Sequence, residues 1–125
     1  MKEADLTELT VVKINKSENT IFFNNGIKLF SEHEQDCCEN HWLSLRDLSL
    51  DDFEGLKFDL SNDNFFTRIK DYGIALNPVY GWPVRIPGYG SNNGYYSSDL
   101  TLVIADENNT IKTYDISECQ DWNAE

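Results

Sequence analysis

Apolar and polar positions alternate through the first third of the chain. Residues 9–14 (LTVVKI) are rich in β-branched side chains and read as a strand. A polar turn over 15–19 leads into Thr20-Ile21-Phe22-Phe23. Asn25-Gly26 then falls between two apolar runs, the signature of a type I′ hairpin whose central residues both need positive φ. The return run Ile27-Lys28-Leu29-Phe30 has one buried face and one wet face. These segments predict a three-stranded meander.

Beyond it, His41-Trp42-Leu43-Ser44-Leu45 alternates again. The stretch 49–56 (SLDDFEGL) predicts one or two helical turns: Ser49 as N-cap, acids in the first turn, Gly55 as the stop. Residues 57–60 and 65–69 predict strands separated by a turn over 61–64. The region 72–90 holds all three prolines and four of the seven glycines, so it predicts irregular chain with an edge strand at 82–86. Asn93-Gly94 signals a second hairpin, followed by strands at 100–105 and 111–116 around a turn at 107–109. The expected fold is α+β: mainly antiparallel sheet in a meander of hairpins with one short helix covering a face or an edge. A chain of 125 residues makes one domain, with residues 1–7 and 120–125 frayed and Trp122 docking part of the tail.

Composition narrows the setting. Forty per cent apolar residues suffice for a core, and no apolar run approaches the roughly 18 residues of a membrane span. The start, Met1-Lys2-Glu3-Ala4-Asp5, is polar and unlike a signal peptide, and three cysteines suit a reducing compartment. The expected location is the cytoplasm. Acidic residues outnumber basic ones 22 to 10, a net charge of −12. Such a surface repels nucleic acid and anionic membranes and attracts a basic protein surface. The plain alternative is that the charge serves solubility.

Candidate chemistry concentrates in residues 33–42. His33, Cys37, Cys38 and His41 supply zinc-type ligands. In a strand, neighbours four apart would lie roughly 13 Å from each other. In a helix, His33 and His41 would still be about 12 Å apart. Only a tight turn lets three converge, with a fourth ligand such as Cys119 drawn from elsewhere. A nucleophilic thiol needs a histidine beside it, but Glu32, Glu34, Asp36 and Glu39 would raise the cysteine pKa and disfavour a thiolate. A Cys37–Cys38 disulfide would close a distorted eight-membered ring. The structural alternative packs one cysteine as a small hydrophobe while Gln35, Asp36 and Glu39 bond a turn.

The order His33-x-Gln35-Asp36-Cys37-Cys38-Glu39, then Leu50-Asp51-Asp52-Phe53-Glu54-Gly55, then Ser91-Asn92-Asn93-Gly94-Tyr95-Tyr96-Ser97 resembles a family of small uncharacterised bacterial and phage proteins. Those carry an H-x-Q-D-C-C-E motif followed by S-N-G-Y-Y-S, and the order matches across residues 9 to 105. This chain departs from the pattern by an extra Asn in the second motif and by Pro83 and Pro87 ahead of it. The resemblance implies a fold and a mobile-element context, and it supplies no catalytic residue.

Two further surfaces are candidates for recognition. Tyr89, Asn92, Asn93, Tyr95 and Tyr96 form a tyrosine-bearing, glycine-rich hairpin of the composition found in protein-binding loops. It lacks the spacing and the lysine of a phosphate loop. Asp51, Asp52 and Glu54 cluster on the short helix with Asp47 and Asp59 nearby, without the spacing of a calcium loop. The expectation is therefore a non-enzymatic, acidic, cytosolic protein without a cofactor. It would dock on a host defence or regulatory protein with a basic groove, possessing no direct affinity for nucleic acid or membrane. The alternative is a small zinc-binding or thiol-dependent protein centred on His33, Cys37, Cys38 and His41. A third reading is an assembly component joined through a sheet edge.

Overall fold

The computed structural model describes residues 6–32, 40–91, 100–117 and 119, with the backbone alone for 40, 41, 90 and 91. Its strands are β1 (Val11–Asn15), β2 (Thr20–Phe23), β3 (Lys28–Glu32), β4 (Asn40–Leu43), β5 (Phe66–Ile69), β6 (Gly73–Leu76), β7 (Val84–Ser91), β8 (Thr101–Ala105) and β9 (Thr110–Asp115). They form two antiparallel sheets. One has the order β1-β2-β3-β8-β9 and the other β4-β7-β6-β5. The chain thus leaves the first sheet after β3, builds the second, and returns as β8 beside β3.

The amino-terminal meander forms as the alternation predicts. Asn25 (φ 65°) and Gly26 (φ 75°) both take positive φ. The connection is a three-residue 3-10 turn, Asn24–Gly26, closed by the Phe23 N–H donating to the Ile27 carbonyl at 2.7 Å. At the far side of β1, the pairing shifts between Val11 and Lys13, leaving Val12 exposed at a bulge.

Three expectations need correction. The segment 49–56 is not an α-helix but a single 3-10 turn, Leu50–Phe53, and no α-helix occurs among the described residues. Its start is fixed as expected, since the Asp52 carboxylate accepts from the Ser49 N–H at 2.8 Å. Gly55 at φ 76° then ends it before a second turn can add α-helical bonds. Residues 57–60 make one isolated bridge rather than a strand: Leu9 and Phe58 exchange backbone bonds of 2.9 and 2.8 Å.

The third correction is the largest. The region 72–90 holds two inner strands of the second sheet, β6 and β7, instead of irregular chain with an edge strand. An inner strand tolerates proline here because β7 changes partners along its length. Residues 84–87 pair with β6, whereas residues 88–91 pair with β4. Pro87 sits at the change. Its carbonyl accepts from the Ser44 N–H at 2.8 Å, and the bond a Pro87 N–H would return to Ser44 cannot form. β4 stops one residue earlier, at Leu43.

Both sheets contribute to one buried apolar cluster, with Ile21, Phe23 and Leu29 from the first and Ile74, Leu76 and Ile86 from the second. Fully buried Phe58 packs edge-on against Phe23 and Phe53, with centroids 6.0 and 6.2 Å away. Inner strands β6 and β8 are buried along almost their whole lengths, which explains their unbroken apolar runs. Tyr114 of β9 packs edge-on against Phe65 and against Phe66 of β5, with centroids 5.5 and 5.2 Å away. No helix of the described residues is long and apolar enough to cross a membrane.

Candidate functional site

The most exposed apolar residues lie in the loop between β6 and β7. Trp82 is 87 % exposed and Tyr80 83 %, with Val79, Gly81 and Pro83 also at the surface. Leaving a Trp and a Tyr in water forfeits the large burial gain their rings provide, so such a pair marks a contact surface more than a scattered apolar residue does. The loop is anchored at its base. The Val79 N–H donates to the Lys57 carbonyl at 2.7 Å, and the Asn77 backbone N–H donates to the Phe65 carbonyl at 2.7 Å. Gly81, at φ 104°, passes so close to Leu56 that a Cβ there would lie 2.9 Å from its Cδ2. The aromatic loop therefore sits against the segment that follows the acidic 3-10 turn.

That turn presents Asp51, Asp52 and Glu54 to solvent. Phe53, between them, points into the core, and this holds the three carboxylates outward. Leu50 is also exposed and joins Phe53 and Leu56 around a shallow depression that reaches Thr10 and Val11 of β1. The aromatic loop and the acidic turn thus share one neighbourhood. A cationic surface would meet both hydrophobic area and charge there.

A cleft of about 220 Å³ opens at the foot of the same loop. Phe65, Pro78 and Val79 give it apolar walls, and Asp59, Asn62, Asn64 and Asn77 give it a polar rim. The rim is held by its own bonds. Asn62 Oδ1 accepts from the Asn64 N–H at 3.0 Å, and Asn77 Nδ2 donates to the Asn64 carbonyl at 3.2 Å and to Thr67 Oγ1 at 2.9 Å. Asp59 Oδ1 accepts from the Ser61 N–H at 3.0 Å and also from its hydroxyl.

The residues singled out from sequence fare unevenly. Asp51, Asp52 and Glu54 are exposed together on one turn. Tyr89 is half-buried on β7, opposite Trp42 of β4, with ring centroids 5.6 Å apart. His33, Cys37, Cys38, Asn92, Asn93, Tyr95 and Tyr96 lie outside the described residues, and His41 is described only as backbone in β4, opposite Gly90. Among the described residues no group of three or more His, Cys, Asp or Glu could hold a metal ion. Cys119 is buried. Tyr80 and Trp82 escaped the sequence reading, although the run Pro78-Val79-Tyr80-Gly81-Trp82-Pro83 carries the signal. Prolines and a glycine interrupt the run too often for a strand, so its bulky side chains have no sheet face to enter.

No family model matches the chain, and no curated protein or solved structure matches it either.

Proposed function

We propose that this chain is a non-enzymatic binding protein that docks on a basic surface of another protein. The aromatic loop would form the apolar centre of the contact and the acidic turn its charged flank. The observation that carries the reading is the exposure of Tyr80 and Trp82 beside Asp51, Asp52 and Glu54. Aromatic anchors supply most of the energy in interfaces of this kind, while charge steers the encounter and excludes wrong partners. A net charge of −12 makes a nucleic-acid-binding groove the natural target, because acids on this face stand where phosphates would lie. A cytoplasmic, mobile-element setting, with a host defence or regulatory protein as target, is part of the same proposal and rests on the order of the sequence motifs alone.

The test uses purified basic nucleases and DNA-binding regulators, titrated with the protein in the presence and absence of competing duplex DNA. We expect binding that weakens with salt and is competed by the duplex. The combined variant Asp51→Asn, Asp52→Asn, Glu54→Gln should weaken it by about tenfold, as expected for three partly screened charges. Asn at position 52 keeps an acceptor for the Ser49 N–H, so the turn persists. Binding that ignores both salt and the triple substitution would contradict the reading.

A further inference from the structure

The cleft at the foot of the aromatic loop has a chemistry of its own, distinct from the charge that the docking reading uses. Three of its four polar side chains, Asn62, Asn64 and Asn77, are amides, and the fourth is Asp59. Asn77 Nδ2 donates to Asn64 and Thr67, so Asn77 turns its oxygen to the cleft, while Asn62 and Asn64 bring amide N–H groups and Asp59 its carboxylate; the rim therefore combines donors and acceptors. Among the described residues no Lys or Arg lines the cleft, which disfavours an anionic ligand. A guanidinium or ammonium brings only donors, which suit the Asp59 and Asn77 oxygens but leave the amide N–H groups of Asn62 and Asn64 without an acceptor from the ligand. The matching ligand is neutral and hydroxyl-rich, because each hydroxyl both gives and accepts a hydrogen bond.

The remaining walls fit the same ligand. Pro78 and Val79 offer apolar surface beside the amides, with buried Phe65 behind them. A pyranose ring has this two-sided character, with C–H faces for apolar contact and a hydroxyl edge for hydrogen bonds. At about 220 Å³ the cleft is smaller than the sites that enclose drug-sized molecules, and it suits a single ring. The chain that walls it continues directly into Tyr80 and Trp82, two aromatic plates exposed at 83 % and 87 %. Plates of that kind take further rings of a chain by face contact. We propose that this cleft binds one unit of a neutral oligosaccharide, with Asn62, Asn64, Asn77 and Asp59 on its hydroxyls and the adjoining loop on its neighbours.

The inference goes beyond protein docking and is separable from it by salt. Neutral sugar binding should be unaffected when ionic strength rises, whereas docking through carboxylates should weaken. The experiment titrates the protein with maltohexaose, cellohexaose and a mannan-derived oligomer by calorimetry, at low and high salt, beside an anionic galacturonan oligomer. The variants are Asn64→Ala and Trp82→Ala. The fold uses Asn64 through its backbone, and Trp82 is at the surface, so both should fold. We expect saturable, salt-independent binding of at least one neutral oligomer, weakened about tenfold by either substitution. Absence of binding to every neutral oligomer would overturn the inference. Binding of the anionic oligomer alone, or affinity unchanged in Asn64→Ala, would overturn it equally.

Discussion

Gly88 shows how closely the carboxy-terminal segment packs on β7. A Cβ at this position would collide with the carbonyl oxygen of Cys119, a backbone atom that cannot rotate away. Gly73 is constrained in the same manner, because a Cβ there would meet the Ile86 carbonyl across the β6–β7 pair. These are close-approach glycines, a requirement that a sequence cannot reveal until the partner segment is known. Gly88→Ala should therefore lower the unfolding free energy by about 1–3 kcal/mol, the usual penalty for a forced side chain in a packed site. Urea denaturation monitored by fluorescence measures it, and an unchanged midpoint would contradict the close passage of residue 119. The same residue scale explains why Tyr80 and Trp82 were missed. Composition counts them as core-forming aromatics, and only the observed loop reveals that they remain outside.

β1, β2, β3, β8 and β9 were legible from their apolar and β-branched runs and fall within a residue or two of expectation. The failures came where one element serves two neighbours. β7 is interrupted by Pro87 yet lies inside its sheet, because the missing donor falls where pairing passes from β6 to β4. The acidic turn has the start and stop signals of a helix, Ser49 and Gly55, but only five residues separate them. β9 is fastened to the β5 region by Tyr114, whose hydroxyl donates to Asp63 at 2.7 Å. Burial, reinforced by that bond and by the Asp63 charge, pushes the Tyr114 pKa from 10.0 up to about 12. The folded form therefore holds the phenol proton more tightly than the unfolded chain does. Its stabilising effect is complete below about pH 10 and is lost as pH climbs toward 12. Tyr114→Phe should flatten that alkaline decline in a pH series of thermal melts while lowering neutral-pH stability by about 0.5–1.5 kcal/mol. An unaltered alkaline slope would show that Asp63 and Tyr114 are not coupled.

At the scale of the whole molecule, charge and shape have to be considered together. Twenty-two acidic residues create a negative field, and the 3-10 turn places three of them beside the most exposed aromatic loop. Sequence alone gave the sign of the field and the acidic cluster. It could not give the neighbourhood, which depends on Val79 bonding to Lys57 and Gly81 packing on Leu56. The Asn-rimmed cleft was equally hidden, since Asn62, Asn64 and Asn77 come together only when the 3-10 turn Asp63–Phe65 meets the residue that follows β6. The account as a whole rests on Trp82 being exposed within a cation-seeking surface. Collisional quenching tests this directly in a protein whose Trp42 and Trp122 are replaced by Phe. Relative to free tryptophan amide, caesium should quench Trp82 more efficiently than iodide at low ionic strength, and the difference should shrink as salt is added. Iodide quenching equal to or stronger than that of caesium on the same scale would contradict a negative contact face.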